Sequence, residues 1–139
     1  MFRDGQDAND PRNGRLTQVN QVAGGYFDTT RIPIVRGRGI TDADRLAAAP
    51  VAVINEAMAA QLWPNEDPVG RTLRLFGVKT EWQIVGIART IKYNFVGEDP
   101  TSFLYLPLDQ SFSTQVAVQV RSAGDPSTVL GTVRRELQQ

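Results

Sequence analysis

Apolar and polar positions along the chain sketch about six strands and two clear helices, joined by long turn-rich connections. Met1 to Gly14 mixes Gly, Asn, Asp and Pro with few apolar side chains and reads as a flexible N-terminal segment, 1–14. Arg15 to Val22 then alternates, with Leu16, Val19 and Val22 among polar neighbours, which predicts a strand. Gly24-Gly25 interrupts it, and Tyr26-Phe27 opens a short helical turn. Ile32 to Val35 reads as extended, because Pro33 disfavours helix at the residue before it. Gly37-Arg38-Gly39 is a turn, and Thr41 or Asp42 is placed to cap a brief helix through Asp44 and Arg45.

Pro50 to Ile54 is β-branched and apolar and reads as a buried strand. Asn55 follows as an N-cap, and Glu56 to Trp63 carries Met58, Ala59 and Leu62 at helical spacing until Pro64 stops it. Asn65 to Gly70 is rich in turn residues. Arg71–Phe76, Glu81–Ile87 and Ser102–Leu108 read as strands, the second with Trp82, Ile84 and Ile87 as core candidates, and Ile91–Asp99 is irregular. Thr114–Arg121 alternates most regularly of all, with Val116, Val118 and Val120 on one side. Asp125-Pro126 then caps a helix with a Val129, Val133, Leu137 stripe and Leu130 beside it. That helix is still running at Gln139, which suggests a fragment of a longer protein. The fold class is α+β. Strands outnumber helices and do not alternate with them regularly, so a doubly wound parallel sheet is disfavoured.

The 139 residues are enough to bury a core without staples. Fifteen basic residues balance fifteen acidic ones, so no charge surplus points to nucleic acid or an anionic surface. The chain has no cysteine and no histidine, which removes disulfides, thiolate nucleophiles and the commonest neutral-pH acid–base group. No apolar run approaches the roughly 18 residues of a membrane span, and the N-terminus lacks the apolar middle of a signal peptide.

Candidate chemistry is sparse. Asp42 and Asp44, and Glu98-Asp99, are the carboxylates a two-acid hydrolase would use, but caps and solvated turns explain them more simply. The Gly37-Arg38-Gly39 turn lacks the spacing and the Lys-Ser/Thr pair of a phosphate loop. Ser111, Ser113 and Ser127 have no histidine base, and nothing places Lys79 or Lys92 beside them. No calcium loop is present. These residues imply no catalytic group, no metal site and no cofactor. The aromatic residues Tyr26, Phe27, Phe76, Trp82, Tyr93, Phe95, Phe103 and Tyr105 leave two readings open: core packing, or the groove of a stand-alone small-molecule or peptide-binding domain. Tyr93 and Phe95, beside Asn94 and Gly97 in an irregular stretch, are the candidate contact residues.

An ordered set of short motifs resembles one family. Gly25-Tyr26-Phe27, Ile32-Pro33-Ile34 and Gly37-Arg38 are followed by Asp44 and by Val51-Ala52-Val53-Ile54-Asn55-Glu56. Trp63-Pro64, Asp67-Pro68-Val69-Gly70, Trp82 to Ile87, Tyr105-Leu106-Pro107 and Val120-Arg121 continue the order. Together they resemble the MacB-like periplasmic core domain of ABC-transporter permeases of the FtsX/MacB type, nearer the broad permease set than the macrolide exporter. Thr90 departs from the pattern, since related sequences often carry Asp there, and the family's periplasmic region is longer.

The resemblance implies a core-domain fragment over 15–139. Its mainly β inserted subdomain would span about 24–112, and its porter-like β/α layer would take 15–22 and 113–139. It implies a periplasmic, non-catalytic domain of a bacterial inner-membrane permease that couples ATP-driven motion to export. The implied partners are the parent's membrane helices, an ATPase domain or subunit, a periplasmic adaptor protein and a second copy in the full transporter, with no nucleic acid. It gives structural roles to Tyr26, Phe27, Gly37, Arg38, Asn55, Trp63, Pro64, Gly70, Gly86, Tyr105 and Pro107. The glycines would serve turns or close packing, Asn55 a cap, and Trp63 an anchor for its helix.

Overall fold

The structure, a computed structural model, describes residues 2–3, 17–91, 100–111, 113–114 and 116–136. The middle of the chain builds the centre of the fold. Val51–Asn55 (β4) is buried at every position and lies between Glu81–Ala88 (β6), parallel to it, and Phe103–Pro107 (β7), antiparallel to it. A strand dry on both faces needs a continuous apolar run, and Val51-Ala52-Val53-Ile54 is one. Gln18–Val22 (β2) adds parallel to the far side of β7. Thr72–Arg74 (β5) adds antiparallel to β6, and Phe2–Arg3 (β1) adds to β5. The result is a seven-stranded mixed sheet in the order β1-β5-β6-β4-β7-β2, with Ile34–Gly37 (β3) also on β6.

β3 and β5 share one edge of β6. β5 takes Glu81 to Gln83 and β3 takes Gly86 to Ala88, while β4 occupies the opposite edge. The handover at Ile84–Val85 requires β3 to leave the sheet tightly. Gly37 turns it with a φ of 70°, and Arg38 N–H donates to the Val85 carbonyl at 2.9 Å. A Cβ on Gly86 would overlap the Arg38 carbonyl, and one on Gly37 would overlap that of Val85. Glycine at both positions is a steric condition of the crossing.

Tyr26–Thr30 (α1) and Glu56–Leu62 (α2) lie on opposite faces. Under α2, Met58, Leu62 and Trp63 pack on Ala52, Ile54, Leu104 and Leu106. On the other face Phe27, Ile32 and Ile40 pack on Val53 and Tyr105, whose ring meets Phe27 edge-on at 5.1 Å between centroids. Trp82, Ile84 and Ile87 share the α2 face although their spacing breaks period two. A register shift against β4 explains this: Ala52 pairs with Ile84, but Val53 pairs with Gly86, so Val85 is an extra residue. Two side-chain amides hold the ends of β4. Asn55 sits at one end. At the other, Gln110 accepts from Val51 N–H at 3.0 Å and donates to the carbonyls of Arg45 and Ala49, each at 3.0 Å.

The last described helix, Ser127–Glu136 (α3), is capped by Asp125, whose carboxylate accepts from Ser127 N–H at 2.9 Å and is thereby held below the usual carboxylate range. Several expectations need correction. Thr41 to Arg45 is a turn, not a helix. Asp44 N–H donates to Thr41 O at 3.0 Å, and the Asp44 carboxylate is turned toward Arg38. Phe2–Arg3 is a strand inside a segment read as a loop; two residues are too few to show a period. Residues 116–122 form no strand. Val116, Val118 and Val120 alternate but stand 62%, 55% and 55% exposed. Strand preference spans only about 1 kcal/mol, and without a ladder partner it does not fix a strand. Leu137 lies outside the described residues.

Replacing Gly86 by alanine is expected to destabilise the fold by about 3 kcal/mol, because backbone has to yield rather than a side chain. Urea denaturation reads this as a lowered midpoint. An unchanged midpoint would show that the crossing at Arg38 adapts freely.

Candidate functional site: two threonines fastened to the start of the second helix

The candidate contact residues Tyr93 and Phe95, with Glu98 and Asp99, lie outside the described residues. The residues at either side of that stretch, Thr90 and Thr101, are described, and both are fastened to the first turn of α2. Asn55 Oδ1 accepts from Met58 N–H at 3.0 Å, which caps the helix, and from Phe103 N–H at 3.1 Å. Its Nδ2 donates to Thr101 O at 2.8 Å. On the other side Thr90 Oγ1 accepts from Ala57 N–H at 2.9 Å, and the Glu56 carboxylate accepts from Thr90 N–H at 3.0 Å. The free donors of a helix start are thus met partly by its own cap and partly by a residue from the end of β6. Thr90 uses its hydroxyl to accept from a helix N–H that the helix itself leaves free. The paired bonds across 33 and 34 positions were not readable from the sequence, because Thr90 has no local pattern to mark it.

A second polar node lies where β3 leaves the sheet. Arg38 grips Asp44 through two bonds, Nη1 to Oδ2 at 2.8 Å and Nη2 to Oδ1 at 2.9 Å. Asp44 Oδ2 also accepts from Thr41 N–H at 2.9 Å and from its hydroxyl at 3.2 Å. Asp44 is only 7% exposed, while half of the Arg38 side chain remains in solvent. The Arg38 hydrogen bond first, and the Thr41 bonds after it, outweigh burial and hold the Asp44 carboxyl below its usual range. Arg38 is raised in turn, chiefly by its bond to Asp44. With its lone pairs committed and its proton weakly held, Asp44 is poorly suited to general acid–base work. Asp42 is exposed and points to no such partner set. Among the described residues no group of acidic side chains is arranged to hold a metal ion.

Of the aromatics, Tyr26, Phe27, Phe103 and Tyr105 pack together on the α1 face, with ring centroids 5.1–6.1 Å apart. Trp63 and Trp82 are buried under α2, and Phe76 stands exposed at the turn between β5 and β6. Pro64 follows Trp63, whose N–H donates to Ala59 O at 2.9 Å as the helix ends. Gly70 adopts a φ of 89° and donates to Ile84 O at 2.8 Å. Pro107 closes the register of β7 against Val22.

Residues 2–136 match the family model of the MacB-like periplasmic core domain. The chain belongs to that family. The ABC transporter permease YknZ of Bacillus subtilis is 32% identical over 114 residues, covering 77% of this chain and 28% of its own length. The permease YvrN of the same organism is 31% identical over 121 residues, covering 80% and 29%. This MacB-like domain therefore spans under a third of those relatives. Among solved structures, the periplasmic region of MacB from Actinobacillus actinomycetemcomitans superposes with a TM-score of 0.63 at 20% identity. That match covers 86% of this chain and 55% of the other. The extracellular domain of YknZ gives a TM-score of 0.51 at 25% identity, over 68% and 46%. The MacB-like core is thus an extracytoplasmic domain of the ABC-permease type. No helix among its described residues is long and apolar enough to cross a membrane.

Two outcomes are expected. Asn55→Ala removes a cap, the acceptor of the buried Met58 amide and a bond from the half-buried Phe103 amide, at a cost of about 2–3 kcal/mol. Limited proteolysis should cut sooner between 91 and 100 in this variant; equal cleavage would show that the cap does not hold that stretch. The second concerns acid. Because the folded Asp44 carboxyl lies below its unfolded value, its stabilisation is full above about pH 4 and fades as pH falls through the folded value. Asp44→Asn should cost about 1.5–3 kcal/mol at pH 7. Denaturation measured from pH 7 to pH 2 should show that deficit shrinking at the acid end. A constant deficit would point to shape rather than charge.

Proposed function

We propose that this domain is a non-catalytic mechanical and binding module of its permease. In this reading ATP hydrolysed in the cytoplasm, by an ATPase domain or subunit, moves the membrane helices. The domain passes that motion to an exported substrate and contacts a periplasmic adaptor protein or the substrate itself. Two copies pair in the full transporter. Family membership carries the reading, together with relatives whose names are those of ABC transporter permeases. The commitment of Asp44 to Arg38 and Thr41 supports the absence of catalysis. Tyr93 and Phe95 are proposed as contact residues, on a stretch whose two sides are tied to α2 by Asn55 and Thr90.

A division into an inserted subdomain over about 24–112 and a porter-like part over 15–22 and 113–139 belongs to the same reading. β2 would then be the shared strand, since it is laddered to β7. The test uses the full permease with its ATPase. The double change Tyr93→Ala and Phe95→Ala should lower recovery of a co-purifying adaptor about tenfold, the scale of one aromatic anchor of roughly 1.4 kcal/mol. ATP hydrolysis and the urea midpoint should hold. Undiminished adaptor recovery would remove these residues from the contact. Export that persists after the whole domain is excised would end the coupling reading.

A further inference from the structure

Val22 and Pro107 stand side by side at the end of the sheet where β2 and β7 stop. Leu108 N–H donates to Val22 O at 3.0 Å, so the strand ends are tied to each other. In the division proposed above, the chain passes from one part to the other just here, after Val22 and a few residues after Leu108. A third segment, Thr41–Ala49, meets both passages. On the incoming side a Cβ on Gly24 would overlap the Asp42 carboxylate, so the two segments touch through the bare glycine. On the outgoing side the Gln110 amide donates to Arg45 O and Ala49 O, each at 3.0 Å. Gln110 is itself held by the turn after β7, its N–H donating to Pro107 O at 3.0 Å.

The segment keeps its shape without a core of its own. Thr41, Asp42, Ala43, Arg45, Leu46, Ala47 and Ala49 are exposed, so apolar burial does not hold it. Polar bonds do. Ala48 N–H donates to Arg45 O at 2.9 Å, and Arg45 Nε donates to Asp42 O at 2.9 Å. Its buried member, Asp44, is gripped by Arg38, whose own N–H is bonded to Val85 O in β6. The segment therefore has one foot on the central sheet and one on each passage. Parts joined only by short passages turn about them by default, and a tie at three points resists that turning.

We infer that Thr41–Ala49 is a brace that stiffens the joint between the inserted and the porter-like parts, with Gln110 as its pin. The inference rests on that division, and not on which partner or substrate the domain meets. The bond between Leu108 and Val22 alone leaves the chain beyond Gln110 able to turn; the two carbonyls on the Gln110 amide stop it. Only a side-chain amide fits the position, because it must accept from Val51 N–H and donate twice. Motion of the α3 side has a second point of entry, since Arg121 Nε donates to Thr29 O at 2.6 Å on α1. α1 begins directly after Gly24-Gly25, so that route also meets the brace, at Asp42.

Spin labels on Ala60→Cys in α2 and Arg134→Cys in α3 test this in the full-length permease. The background is free of other cysteines and diluted with unlabelled permease, so that distances within one copy are read. Gln110→Glu keeps an acceptor for Val51 N–H and loses both donors to the brace. The distance distribution should broaden about twofold in this variant, and likewise in Asp44→Asn, which frees the foot on the sheet. Amide exchange at Val53 should stay as slow as in the parent protein. Broadening that comes with faster exchange at Val53 would be loss of the fold and would overturn the brace. Three glycines inserted after Ser111 separate the two ways of failing. Broadening by the insertion but not by Gln110→Glu overturns the brace and leaves the division standing. No broadening by either overturns the division, and the brace with it.

Discussion

The architecture depends on keeping β4 dry on both faces. A strand buried throughout must have every backbone group paired and both rows of side chains covered. β6 and β7 supply the ladders, α2 with Trp63 covers one face, and α1 with Ile32 and Ile40 covers the other. The ends of such a strand are its weak points, since the ladder stops there. Asn55 and Gln110 solve this with the same chemistry, a side-chain amide that donates and accepts at once.

The requirement also explains what the sequence showed and what it did not. Val51–Ile54, the helix after Asn55 and the strands Glu81–Ala88 and Phe103–Pro107 were legible because burial writes itself as apolar runs and local caps. Order in the sheet was not legible. Nothing local says that β2 joins β7 in parallel, or that β3 and β5 share an edge of β6, because those pairings join residues distant in the chain. The most regular alternation in the sequence, Thr114–Arg121, forms no strand over its described residues 116–121. Alternation records which side chains would be covered if a partner were present, and no described residue pairs with that backbone.

The candidate site divides along the same line. Asn55 announces itself as a cap by type and position. Its second task, holding Thr101 and Phe103, needs the fold. Thr90 stood out only as a departure from the motif pattern and Gln110 gave no signal, since single polar side chains that satisfy distant backbone look like ordinary surface residues. The motif Gly37-Arg38 with Asp44 reads more fully once assembled. The glycine lets β3 pass under β6, and the ion pair ties down the loop that follows. Physical necessity at one crossing thus joins residues that the sequence offered separately, as a turn, a candidate carboxylate and family markers.

The extra residue at Val85 sets a phase boundary within a single strand. On one side of it the α2 face is written at even positions, Trp82 and Ile84; on the other it is written at an odd one, Ile87. Two relatives that differ by one residue here would share every contact on one side and exchange inside for outside on the other. The number of residues through this stretch is therefore set by geometry, independent of which amino acid occupies position 85.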